Sequence, residues 1–130
     1  MYAQTTNGIT VSVKPLYLEE QSAPQDNHYV WAYQVRIENA TSHTFHLRSR
    51  YWKITDGLGH IQEIRGAGVV GEQPILKPGA VFEYTSGTPL TTASGIMEGS
   101  YQMEDDTGAV INIPIPAFSL DSPYDLHTLN

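Results

Sequence analysis

With 130 residues, 40% hydrophobic and 16% charged, the chain has the composition of one globular domain and of no disordered, collagen-like or coiled-coil class. Seven Lys and Arg stand against fourteen Asp and Glu, for a formal net charge of −7, and the whole excess lies in residues 66–130, where Lys77 alone faces eight acids. Such an anion is repelled by phosphate backbones and by acidic membrane surfaces, and the lack of Cys removes disulfides, thiolate nucleophiles and Cys-based zinc sites.

No helical periodicity runs anywhere in the chain. Short segments alternate with period two between Gly and Pro punctuation, which predicts strands. Residues 1–10 are polar, without a basic stretch leading into an apolar one, so no secretory signal is visible and a cytoplasmic protein is expected. Ile9, Val11 and Val13 open a first strand that continues to about residue 18, and a polar loop follows over 19–27. Residues 28–39 form the strongest strand, with Tyr29, Trp31, Tyr33, Val35 and Ile37 on one face. Trp31 is predicted to face the core.

Asn39-Ala40-Thr41-Ser42 reads as a turn, although its first three residues also match a glycosylation sequon. Residues 44–55 then return as a strand with Phe45, Leu47, Ser49 and Tyr51 on one face. Asp56-Gly57 and Gly59 turn the chain into a strand over 61–64. Residues 66–79 hold four Gly and two Pro and predict a structured loop. A short strand over 81–85 and a polar connection over 88–94 follow it. A last hairpin runs from 96–103 through Asp105-Asp106-Thr107-Gly108 to 110–118, where Pro114 and Pro116 predict a strand that is at an edge or irregular. About seven strands with turn signals every 8–12 residues predict an all-β sandwich of two antiparallel sheets. One domain over 1–130 is expected, with flexibility in the first few residues and in roughly the last ten.

Two features carry candidate chemistry. Gly66, Gly68 and Gly71 match GxGxxG, but Glu72-Gln73-Pro74 follows and no helix starts there, so the dinucleotide mechanism fails. The same amides are candidates for an anion-binding nest, or the glycines supply positive φ in a crossing loop. The second feature is basic. If a 28–55 hairpin pairs Ile37 with Phe45, Arg36 falls opposite His46 and Gln34 opposite Arg48, and Arg48, Arg50 and Trp52 continue along one outer face. Arg36, Arg48 and Arg50 would then form an anion site or a solvated, ion-paired face.

His43 and His46 cannot chelate together on one strand, and Glu104-Asp105-Asp106 lacks an EF-hand pattern and reads as a hairpin turn. No catalytic constellation, metal site or cofactor motif is visible. A non-enzymatic protein is therefore expected.

The stretches YQVRIEN (33–39), RYWKITDG (50–57), GAGVVGEQP (66–74), PG (78–79), YTSG (84–87), MEGSY (97–101) and IPAF (115–118) occur in this order. Together they closely resemble the bacterial ApaG family across nearly the full length. That resemblance implies a fibronectin type III-like, immunoglobulin-like β-sandwich, a phenotypic link to cobalt resistance and magnesium efflux, and a kinship with domains that look like protein-binding modules. It also implies a glycine motif proposed to contact pyrophosphate, here at Gly66, Gly68 and Gly71. The position between the first two is usually acidic in the family and is Ala67 in this chain. The expected role is a binding module for a protein partner; the alternative is a small phosphate-containing anion held at the glycine loop, with or without the arginines.

Overall fold

The computed structural model describes residues 1–125. The period-two segments form nine strands: β1 (Tyr2–Thr6), β2 (Ile9–Tyr17), β3 (Tyr29–Asn39), β4 (Phe45–Asp56), β5 (Ile61–Ala67), β6 (Ile75–Leu76), β7 (Val81–Leu90), β8 (Ser94–Asp105) and β9 (Val110–Asp121). Two single-turn 3-10 segments, Glu19–Gln21 and Pro24–Asp26, lie in the predicted 19–27 loop. The count exceeds the expected seven because β1 and the two-residue β6 also join the sheets. Much of the expected C-terminal flexibility concerns residues 126–130, which lie outside those described.

Four strands form one sheet in the order β1-β2-β3-β7. Five form the other, β5-β4-β8-β9, with β6 also paired to β4. All pairings are antiparallel. β9, with Pro114 and Pro116, is an edge strand as predicted. The two sheets pack face to face, and their inner side chains form one cluster that includes Ile9, Val11, Trp31, Ile37, Leu47, Tyr101, Met103, Ile113 and Phe118. Burying each large apolar side chain contributes about 1.5–3 kcal/mol. Trp31 is 1% exposed, and its Nε1 donates to the Asp121 carbonyl at 2.8 Å. It faces the core.

The predicted 28–55 hairpin does not form. β3 pairs with β2 and β7, whereas β4 pairs with β5, β6 and β8, so the two strands belong to opposite sheets. The reason lies in Asn39, which is fully buried. Its Nδ2 donates to the carbonyls of His43 at 2.7 Å and Leu76 at 2.9 Å, and its Oδ1 accepts from the Thr41 amide and hydroxyl. The connection over 40–44 is thereby fixed as an arch from one sheet to the other.

A second correction concerns phase. The register of β4 on β8 shifts between Leu47 and Ser49, so Arg48 is the extra residue of a β-bulge. Beyond it the inner and outer positions exchange. Trp52 and Ile54 turn into the core, at 3% exposure each, and Tyr51 turns outward.

Candidate functional site

The bulge and the arch decide where the three candidate arginines go. Arg36 lies on the four-stranded sheet, opposite Ser12 and Glu83. Its Nη1 donates to Glu38 at 2.9 Å and its Nε lies 3.4 Å from Glu83. Arg48 stands on the outer face of the other sheet, where Nε and Nη2 both reach Glu104 Oε1, at 2.8 and 2.6 Å. The expected cluster of Arg36 with Arg48 is thus separated onto two sheets, and each guanidinium has its own carboxylate.

Arg50 behaves differently. After the bulge it is in phase with Trp52 and Ile54, opposite Tyr101 of β8 and Gly66 of β5. Its side chain therefore leaves the inner face at the rim of the sandwich. Gly66 makes this possible: a Cβ there would sit 2.8 Å from Nη1 and 3.0 Å from Cζ and Nη2 of Arg50. Nη1 donates to the carbonyls of Gly68 at 2.8 Å and Ala67 at 3.2 Å, which ties the glycine loop to β4. Among the described residues, Nε and Nη2 have no hydrogen-bond partner, and no carboxylate lies within ion-pair distance. Segments carrying Arg50, Gly66, Tyr84 and Tyr101, far apart in sequence, meet at this point.

The neighbouring polar groups are phenols. Tyr101 is fully buried, and its hydroxyl bonds that of Tyr84 on β7. Burial raises the Tyr101 hydroxyl well above its ordinary range, and the neighbouring Tyr84 adds to the rise while Arg50 opposes it. Burial likewise raises Tyr84 and Tyr33, and Arg50 pulls both back. These hydroxyls stay protonated at neutral pH.

In the glycine loop each glycine answers a different constraint. Gly66 gives way to Arg50, as above. Gly68 has φ +61°, and a Cβ there would lie 2.0 Å from the Glu72 carbonyl oxygen. Val70 and Gly71, at φ +43° and +82°, are the central pair of a tight turn closed by Val69 and Glu72, which exchange N–H···O bonds of 2.8 Å in both directions. The Gly68 amide donates to the Arg48 carbonyl at 2.9 Å. The amides of Gly68, Val69 and Glu72 are therefore engaged within the protein. Val69 is buried in the core, while Val70 beside it is 54% exposed.

Elsewhere, Arg65 stacks 4.6 Å over the Tyr51 ring, and Tyr51 donates to Glu63 at 2.8 Å on the outer face. The acidic turn is a turn: Asp105 Oδ1 accepts from the Thr107 hydroxyl and amide and from the Ala109 amide. Among the described residues no three His, Asp or Glu side chains are grouped so as to hold a metal ion. The Arg50–tyrosine cluster was not apparent in the sequence, because it depends on the bulge. One signal for it exists: Leu47 and Trp52, both large and apolar, are an odd number of positions apart, and one buried face can hold both only if a residue is extra.

Comparison with known proteins places these features in a family. The ApaG domain model (DUF525) matches residues 19–105. The chain is similar to Protein ApaG of Paramagnetospirillum magneticum, with 61% identity over 130 residues and all of both chains covered. It is 59% identical to Protein ApaG of Brucella suis biovar 1, again over the whole of both chains. A crystal structure of an ApaA protein from Bordetella pertussis superposes with a TM-score of 0.87 at 50% identity, covering 90% of this chain and 95% of that one. The C-terminal domain of wzt, at 11% identity and a TM-score of 0.54, covers 96% of this chain and 79% of that one and shares the fold alone.

Proposed function

This chain belongs to the ApaG domain family, and from that premise we propose that it is a non-enzymatic binding module that docks a protein partner through the glycine-loop end of its five-stranded sheet. Val70 carries the reading. A β-branched residue at φ +43° is strained by about 1–3 kcal/mol, and Gly or Asn would take the same turn without that strain. The turn nevertheless holds an isopropyl group out to solvent on a base anchored by the buried Val69. Ile75, further along the same connection, is also exposed, at 59%. A strained, rigidly mounted apolar side chain suits a contact with another protein.

On this reading the family's link to cobalt resistance and magnesium efflux is indirect, through the partner. No helix among the described residues is long and apolar enough to cross a membrane. The net charge of −7 directs it away from nucleic acid.

The test is affinity capture from lysate of the native host with the immobilised protein. Val70→Gly relieves the strain and removes the side chain, so it should melt at or above the parent temperature and lose the captured band. Leu58→Ser, at the distant β4–β5 turn, should keep it. Equal capture by Val70→Gly and the parent overturns the reading.

A further inference from the structure

The two long sides of the sandwich differ. β9 packs beside β1 and β2 and closes one. The other is bounded by β5 and β7, each the terminal strand of its sheet. Arg50 reaches the rim on that open side with one edge of its guanidinium turned toward protein carbonyls and the Nε–Nη2 edge left over. Across the strand pair from it is Tyr101, whose hydroxyl is paired with that of Tyr84. Two hydroxyls share one bond and use one proton for it, which leaves one O–H of the pair to donate elsewhere, and of the two Tyr84 is the less buried.

We propose that this open side holds a site for a single carboxylate, received by Nε and Nη2 of Arg50 and by the Tyr84 hydroxyl. Two parallel N–H donors match the two oxygens of a planar carboxylate. Charge selects the ligand class. Arg50 supplies one positive charge with no carboxylate partner among the described residues, so a monoanion leaves the site neutral. A phosphate dianion would leave an unmatched negative charge at a half-buried rim, inside a chain already at −7. The neutral phenols, held protonated by burial, donate without adding charge. Gly66 keeps the guanidinium in place, since any side chain there would displace it. The site does not involve the side chain of Val70, on which the docking surface proposed above rests.

The carboxylate can come from a small acid or from the end of a peptide chain, and the probes separate these sources. The full-length protein is titrated at neutral pH and constant ionic strength with acetate, with an acetylated dipeptide bearing a free C-terminus, and with inorganic sulfate, which is wholly a dianion at that pH. The readout is the Arg50 Nε–Hε signal and the amides of residues 66–68 and 84–86 in NMR spectra. Acetate should give saturable shifts at those groups in the millimolar range, and sulfate should give none. Dipeptide binding about ten-fold tighter than acetate assigns the site to chain ends, and equal binding to small acids; both support it. Arg50→Lys keeps the charge and loses the fork, and should weaken acetate binding by about ten-fold or more. Tyr84→Phe should weaken it several-fold, whereas Arg48→Gln should leave it unchanged. The proposal is overturned if acetate gives no saturable shift at the Arg50 Nε–Hε signal, if sulfate saturates the same groups, or if Arg50→Lys binds acetate as the parent does.

Discussion

At the scale of single residues, the glycine loop shows that one motif can serve three unrelated constraints. Gly68 and Gly71 both have positive φ, but only Gly68 is also pressed against a backbone oxygen. Gly68→Ala should therefore be destabilising by more than the roughly 1–3 kcal/mol of conformational strain, and Gly71→Ala, with nothing within 4 Å of its Cβ, by no more than that strain. Equal urea midpoints for the two variants would refute the close approach at Gly68. The positive φ was legible in the sequence, because Gly is the residue that adopts it. The collision with Glu72 was not, since it needs the turn to be folded. Trp31 was legible for the opposite reason: its face follows from alternation alone. Trp31→Ala should cost about 3–5 kcal/mol, the usual penalty for emptying a large buried aromatic site. A melting temperature within a degree or two of the parent would contradict its burial.

At the scale of elements, alternation told which face of β3 is buried, and which face of β4 as far as its bulge, but not which strand lies beside either. β3 and β4 each present an apolar face, and a hairpin and an inter-sheet arch satisfy that pattern equally. The choice rests on Asn39, whose amide satisfies the Leu76 carbonyl inside the protein. Asn39→Ala should leave that carbonyl unpaired and cost about 1–3 kcal/mol in urea unfolding. If the variant unfolds at the parent midpoint, the arch is held by something else. The Asn7-Gly8 turn between β1 and β2 is the converse case. Both residues have positive φ, at +50° and +80°, and the dipeptide is a strong hairpin signal, so β1 was missed although its turn stood in the sequence. The three-arginine patch failed at this level: a wrong neighbour for β3 and a missed bulge in β4 scattered Arg36, Arg48 and Arg50 to three environments.

At the scale of the whole molecule, the pH profile of stability reports the inter-sheet tyrosines. Tyr33, Tyr84 and Tyr101 all have folded-state pKa values raised above the ordinary 10.0, with burial the leading cause in each. A group whose folded pKa is raised gives its full stabilisation below the unfolded value and loses it as pH rises toward the folded one. Between those limits the unfolded chain has released protons that the native sandwich still holds, so unfolding becomes easier with every step in pH. The acid side runs in the opposite sense. Burial works to raise Asp56, but the His60 and Leu58 amides and the His60 ring outweigh it, and the Thr107 hydroxyl and amide lead the lowering of Asp105. Their contribution is present above the ordinary 3.8 and is lost as pH falls through their lower folded values. Stability should therefore be flat between these limits and fall above pH 10, where absorbance at 295 nm should show the three phenols ionising only as circular dichroism reports loss of the sheets. Tyr101→Phe removes one held proton. It should lower stability at neutral pH by deleting the bond to Tyr84, yet make the alkaline fall shallower by about one proton per molecule. An unchanged alkaline slope would mean that Tyr101 titrates freely and does not sit protonated between the sheets.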